Sequence, residues 1–178
     1  MDIVLTRRRV LTWGALACGA AGFHPRAGFA ADAGEISRSA ESIHQEPSFT
    51  ARGVRVYGAL LDARQFDKIV ELSGVRQQMH LPARSSQINP RPGGAFALFG
   101  GYITGRQVAL IPNALIVQAW RADSWPKGVY SIARFELVEH DAGCRILFDH
   151  NGFPRGEAES LASGWRAHYW EPLQKLLS

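Results

Sequence analysis

Cysteine is scarce: Cys18 and Cys144 are the only two in 178 residues. That is too few for a disulfide framework or a four-cysteine zinc site. Long apolar runs are missing as well. The longest, residues 10–23, is closed by His24, Pro25 and Arg26 and falls short of the ~18 residues of a membrane-spanning helix. The remaining histidines (His44, His80, His140, His150 and His168) show neither His-x-His nor His-Glu-x-x-His spacing, so no metal is assigned. No cofactor motif stands out either. The glycine-rich residues 93–105 lack the G-x-x-x-x-G-K pattern and open a strand pattern rather than a helix, so they make no phosphate cradle.

An excess of one charge is also lacking once the chain is divided. The formal net charge is +4, from 20 basic and 16 acidic residues. Setting aside Arg7, Arg8, Arg9, Arg26 and Asp2 in residues 1–31 leaves 16 and 15, a net of +1. Without a basic stripe, nucleic-acid binding loses its electrostatic footing. What is present is a core-forming composition, 46% hydrophobic with five Trp and nine Phe, which excludes a wholly disordered chain. The length suits one domain.

Thr6-Arg7-Arg8-Arg9-Val10-Leu11 resembles the twin-arginine export motif. An Ala/Gly-rich stretch follows it, and small residues suited to cleavage stand at Gly28-Phe29-Ala30 or Ala31-Asp32-Ala33. The expected organisation is therefore a signal peptide over 1–31, a polar linker over 32–41 and one domain over 42–178. The expected location is the periplasm or another exported site, reached through the twin-arginine machinery, with no membrane span in the mature form. The alternative is a membrane anchor through an uncleaved or Cys18-lipidated N-terminus. Cys144, alone in the mature domain and inside an apolar strand pattern, reads as a small core hydrophobe.

In the domain, residues 42–49 read as a strand, with Pro47 marking an edge position. Val54, Tyr57, Leu60 and Leu61 are spaced for one helical face. Asp62 with Gln65 is a capping-box pattern opening a second short helix that carries Phe66, Ile69 and Val70. From 85 to 151 the period changes to two. Apolar stretches at 95–99, 102–104, 108–111, 115–120, 132–138 and 144–148 are separated by turn signals, among them Gly100-Gly101, Gly105 and residues 141–143. The connections are too short for parallel crossovers, which predicts an antiparallel meander. Gly93-Gly94 reads as a turn and Gly100-Gly101 as a bulge that curves the sheet. Over 157–177, Leu161, Trp165, Tyr169, Leu173 and Leu177 recur every four residues, flanked by His168 and Leu176, as one face of a long helix that Pro172 bends or breaks.

Strand, two short helices, curved antiparallel sheet and long C-terminal helix make an α+β fold. A sheet curved around a helix leaves a space lined by alternate inward residues. The sequence from Gly93-Gly94-Ala95-Phe96 through Gly100-Gly101-Tyr102-Ile103-Thr104-Gly105 resembles the central signature of the activator-of-heat-shock-protein-90-ATPase-like branch of the SRPBCC (START-like) superfamily. Ile116-Val117-Gln118-Ala119-Trp120-Arg121, Phe148-Asp149-His150-Asn151-Gly152-Phe153-Pro154, and Gly164-Trp165 with Tyr169-Trp170 and Pro172-Leu173 fit its later strands and terminal helix. The resemblance runs from about residue 43 to 177 and implies a helix-grip fold. Many superfamily members bind apolar small molecules, and some catalyse reactions in the same cavity.

The ligand-lining candidates are accordingly Tyr57, Phe96, Trp120, Phe135, Phe148, His150, Trp165 and Tyr169. Asp149 and His150, adjacent on a strand, point to opposite faces and cannot form a catalytic pair. His150 shares the inward face of Ile146 and Phe148, which would put it near the cavity mouth as an orienting or proton-transfer group; the alternative is a histidine simply hydrogen-bonded at a strand end. The alternation leaves open whether Trp120 or Leu115 and Val117 face inward. The expected function is binding of a small apolar ligand. The alternatives are a chaperone-interaction module and a cyclase- or hydrolase-like enzyme using His150 or Tyr169; no catalytic residue is assigned.

Overall fold

The computed structural model describes residues 41–141 and 143–178. The expected signal peptide, the linker up to Glu41 and Cys18 lie outside the described residues, as does Ala142 of the turn expected at 141–143.

The chain begins with β1 (Ser42–Gln45) and β2 (Ser48–Phe49), followed by α1 (Gly53–Leu61), α2 (Ala63–Ser73) and α3 (Val75–Gln78). Then come β3 (Gln87–Ile88), β4 (Ala95–Leu98), β5 (Ile103–Ile111), β6 (Leu115–Ala122), β7 (Ser131–His140) and β8 (Gly143–Asn151). The C-terminal helix has three parts: α4 (Ala158–Trp165), a π-helical turn (Arg166–Trp170) and α5 (Glu171–Leu177). The eight strands form one antiparallel sheet in the order β1-β8-β7-β6-β5-β4-β3, with β2 also on β8. This is the helix-grip architecture the element order predicts.

The 42–49 segment is one edge strand with a gap. Its pairing with β8 keeps the same register on both sides, Gln45 opposite Phe148 and Ser48 opposite Arg145. The gap falls at Glu46-Pro47 because proline has no N–H to give. Pro47 can still accept, and its carbonyl takes the Ile146 N–H at 3.0 Å.

α1 is rotated from the expected face. Its buried residues are Gly53, Val56, Ala59, Leu60 and Leu61, whereas Val54 is 57% exposed and Tyr57 half-buried. Spacing alone fits two faces of so short a helix; a tertiary contact decides between them. Glu139 of β7 accepts the Gly53 N–H at 2.7 Å and pairs with Arg52, fixing the helix start against the sheet with a carboxylate at its positive end. α2 forms as expected: Asp62 Oδ1 accepts the Gln65 N–H at 2.9 Å, and Phe66, Ile69 and Val70 are buried. α3 is an addition that the sequence did not signal.

Two glycine readings need correction. Residues 103–104 and 108–111 belong to one strand, β5, which starts just after Tyr102, and Gly105 lies within it, opposite Trp120. A Cβ there would stand 2.0 Å from the Ala119 carbonyl oxygen and 2.4 Å from Cζ of Phe96, so this glycine supplies room, not a turn. Gly100-Gly101 belongs to the 3₁₀ turn between β4 and β5, with Gly100 at φ 69° and Gly101 at φ 100°. The bulge is further on, between Gln107 and Ala109, and leaves Val108 exposed.

The inner face of β6 is Ile116, Gln118, Trp120 and Ala122, which settles the open question in favour of Trp120. Across the sheet the same face carries Ala133 and Phe135 from β7 and Ile146, Phe148 and His150 from β8. These pack with α1, α2 and the C-terminal helix into one core. Each fully buried large apolar side chain contributes ~1.5–3 kcal/mol. In the π turn the Glu171 N–H reaches back five residues to the Arg166 carbonyl, just ahead of Pro172, which has no N–H to continue the ladder. The extra residue brings the consecutive Tyr169 and Trp170 both inside, at 6% and 4% exposure. A plain four-residue stripe omits Trp170.

Candidate functional site

The sheet and helix do not close on each other everywhere. Where α3 and the β4–β5 turn meet the ends of β5 and β6 and the first half of the C-terminal helix, a cavity of about 350 Å³ remains. That is at the lower end of the ~300–1,000 Å³ range of small-molecule pockets. Phe99, Trp120, Trp125, Trp165 and Tyr169 form its aromatic wall, with Val75, Leu81, Ile103 and Leu161. The exposed residues Met79, Ser124, Ser160 and Ser163 lie on its solvent side. Among the described residues, no Lys or Arg lines it, and Glu157 is its one carboxylate.

Three of the eight candidates, Trp120, Trp165 and Tyr169, line this cavity. Phe96 and Phe135 border a separate void of about 10 Å³ on another side of Tyr169, which has room for about one water at most. Phe148 is fully buried behind Trp165, with ring centroids 4.4 Å apart. Tyr57 is half-buried on α1 and lines neither space.

His150 is not at the cavity mouth. It is fully buried and both ring nitrogens are engaged. The Trp165 indole N–H donates to Nδ1 at 3.0 Å. An indole can only donate, so Nδ1 accepts and the ring proton lies on Nε2. Nε2 faces the Ser131 hydroxyl at 2.7 Å, and that hydroxyl donates to the Trp120 carbonyl at 3.0 Å. The chain thus ties together two walls of the cavity, the Trp165 ring and the Trp120 backbone. Burial pushes the His150 pKa down to about 4, so the ring is neutral. Asp149, on the other face, pairs with His44 at 2.7 Å.

Three polar atoms in the cavity-lining residues have no hydrogen-bond partner among the described residues: Nε1 of Trp120, the hydroxyl of Tyr169 and Nδ1 of His168. Burial holds the Tyr169 phenol far above its ordinary pKa. The Trp120 indole N–H is near enough to pull the other way, yet the two groups do not meet in hydrogen-bond geometry. The His168 ring is held below its ordinary value by burial, with Glu171 opposing. Burial also pushes the Cys144 thiol up to about 11 and Glu139 adds to the shift, so Cys144 is an unreactive core group.

Sequence reasoning missed Phe99, Trp125, Val75 of α3 and Met79 just after it. They belong to turns and a one-turn helix, where no periodicity assigns an inward side. Leu161 stood in the helix stripe and His168 beside it, and neither was singled out as a lining residue.

Comparison with known proteins agrees with this architecture. The chain is 35% identical over 88 residues to an uncharacterized protein of Schizosaccharomyces pombe, covering 49% of this chain and 26% of that one. It is 28% identical over 83 residues to the human activator of 90 kDa heat shock protein ATPase homolog 1, covering 47% and 25%. With mouse homolog 2 the match is 26% over 148 residues, covering 80% and 45%. The chain thus spans between a quarter and a half of the length of these relatives. Among solved structures, an HSP90 activator from Plasmodium falciparum superposes with a TM-score of 0.65 at 20% identity, over 76% of this chain and 95% of that one. A protein from Chromobacterium violaceum does so with a TM-score of 0.59 at 23% identity, over 76% and 96%. At these identities the structures speak for the fold. The family model described as Activator of Hsp90 ATPase homolog 1-like protein matches residues 51–178, and the chain belongs to that family.

Proposed function

We propose that this chain is an exported protein that binds a small, largely apolar molecule in the cavity between the sheet and the C-terminal helix. The observation that carries the reading is the cavity itself, an aromatic-walled hollow of about 350 Å³ in an otherwise packed core. Apolar walls with a few polar groups for orientation are what small-molecule sites present. Native mass spectrometry of the purified protein tests this: a co-purifying small molecule released on denaturation supports it. A protein that carries nothing and takes up none of a sterol, fatty acid, polyketide or aromatic panel contradicts it.

Export rests on Thr6-Arg7-Arg8-Arg9-Val10-Leu11 and the small residues near 28–33. N-terminal sequencing of the protein from the periplasmic fraction, beginning near residue 31, supports it; an intact N-terminus in the cytosol contradicts it.

A second reading, a module that contacts an Hsp90-type chaperone, is favoured by the names of the human and mouse relatives. Stimulation of a purified chaperone's ATP hydrolysis by this chain supports that reading and the absence of stimulation contradicts it.

A further inference from the structure

The cavity has a direction. Glu157, Leu161, Gly164 and His168 line it from one face of the C-terminal helix, at steps of three and four residues. Eleven residues at ~1.5 Å each make that face about 16 Å long. Its two ends differ. At the His168 end stand the packed rings of Tyr169 and Phe99, with centroids 5.3 Å apart. Burial holds the His168 imidazole below its ordinary pKa, so it is uncharged at neutral pH. At the other end Glu157 is half-buried and Ser160, one turn on, is exposed, so a molecule in the cavity can reach both. The Glu157 carboxylate makes no hydrogen bond or ion pair with another described residue. Arg121 is committed elsewhere: it donates to the Trp125 carbonyl at 2.8 Å and pairs with Asp123. Arg155 is exposed and does not line the cavity. Glu157 is therefore the one charged side chain of the wall among the described residues.

We propose that Glu157, with the Ser160 hydroxyl beside it, seats the ammonium of an apolar amine, and that the body of this ligand lies along the helix against Trp125 and Trp165. This rests on the reading of the cavity as a ligand site. A half-buried carboxylate is less screened than one in open water, so it discriminates by charge. An ammonium has three protons to donate, which suits a carboxylate and a hydroxyl side by side. The aromatic wall suits the same ligand, since ring faces attract positive charge as well as apolar surface. An anion of the same shape meets a like charge and no Lys or Arg to offset it.

The test uses three probes with the same ring: naphthylethylamine, naphthylethanol and naphthylacetate. Their affinities are measured by calorimetry at neutral pH and low salt on the wild-type protein, Glu157→Gln and Glu159→Gln. Glu159 is exposed two residues away and does not line the cavity, so it controls for the general field of the acidic residues. The wild type should bind the amine more tightly than the alcohol, by about three- to tenfold, and the acetate most weakly. Glu157→Gln should bring amine and alcohol to within about twofold of each other. Its affinity for the alcohol should hold, which also reports that the variant is folded. Glu159→Gln should keep the amine preference. Equal binding of amine and alcohol by the wild type overturns the seat while the cavity reading stands. So does a preference that survives Glu157→Gln, or one that Glu159→Gln abolishes equally. Tightest binding of naphthylacetate overturns the cationic class. Binding of none of the three overturns the seat and the cavity reading together.

Discussion

The Trp165 indole N–H donates to Nδ1 of His150 over 3.0 Å, deep in the core. Through Nε2 the same imidazole faces Ser131, whose hydroxyl holds the Trp120 carbonyl. His150 is thus a positioning residue for two walls of the cavity. His150→Ala removes the acceptor, orphans the Trp165 N–H and leaves a hole beneath two rings. It should cost about 2–4 kcal/mol, read as a lower midpoint in urea unfolding at neutral pH. A loss below about 0.5 kcal/mol would mean that the network does not hold the core.

His150 also sets a pH dependence. Its pKa falls from 6.5 to about 4 on folding because burial disfavours the charged ring. Below 6.5 the unfolded chain takes up a proton that the folded chain refuses. The stability associated with neutral His150 is therefore complete above 6.5 and is lost as the pH falls towards about 4, by about 3 kcal/mol in all. His44, raised chiefly by its hydrogen bond to Asp149 and then by Glu46, works in the opposite sense but is exposed. Comparing urea unfolding of the wild type and His150→Gln between these pH values isolates the effect: the wild type should lose more stability. NMR of the imidazole should show an Nε2–H tautomer that persists at pH 5.

Gly105→Ala should be among the most damaging single substitutions in β5. The new methyl would collide with the Ala119 backbone carbonyl and with Phe96, and the carbonyl is held in the sheet. A cost of about 3 kcal/mol or more is expected, seen as a depressed melting temperature or insoluble expression. Near-wild-type stability would show that the strand can shift to make room.

Much of the fold was legible because its signals are local. Alternation in 132–138 needs only the pleat of one strand, and the Asp62 cap needs only the first turn of α2. What failed depended on partners distant in sequence. Gly105 resembles a turn residue until Phe96 is placed over it. Val54 and Tyr57 fit a helical face until Glu139 fixes the start of α1. The inward phase of Trp120 is decided by neighbours across the sheet. His150 was correctly turned inward, but its depth depends on Trp165 and Ser131. The cavity lies where α3 and the β4–β5 turn come together with α4 and the ends of β5 and β6, and no periodicity in any one segment encodes that juxtaposition.

Tyr169→Phe tests whether the buried hydroxyl has a structural role. Its hydroxyl has no partner among the described residues, so in ligand-free protein its removal should change stability by less than about 0.5 kcal/mol, or raise it. Differential scanning calorimetry checks this, and a loss above about 1 kcal/mol would reveal a structural hydrogen bond.

The central claim is that the cavity is a binding site, and Gly164 offers the most direct control. It lines the space, and a Cβ there would meet nothing nearer than His168 at 4.0 Å. Gly164→Leu should obstruct the cavity with a branched side chain while stabilising the helix by up to about 1 kcal/mol. The measurement is thermal unfolding of both proteins against a panel of apolar compounds. A ligand at about 100 times its Kd should raise the wild-type melting temperature by about 5–10 °C and leave Gly164→Leu unmoved. No shift with any compound, or the same shift in both proteins, would contradict the account.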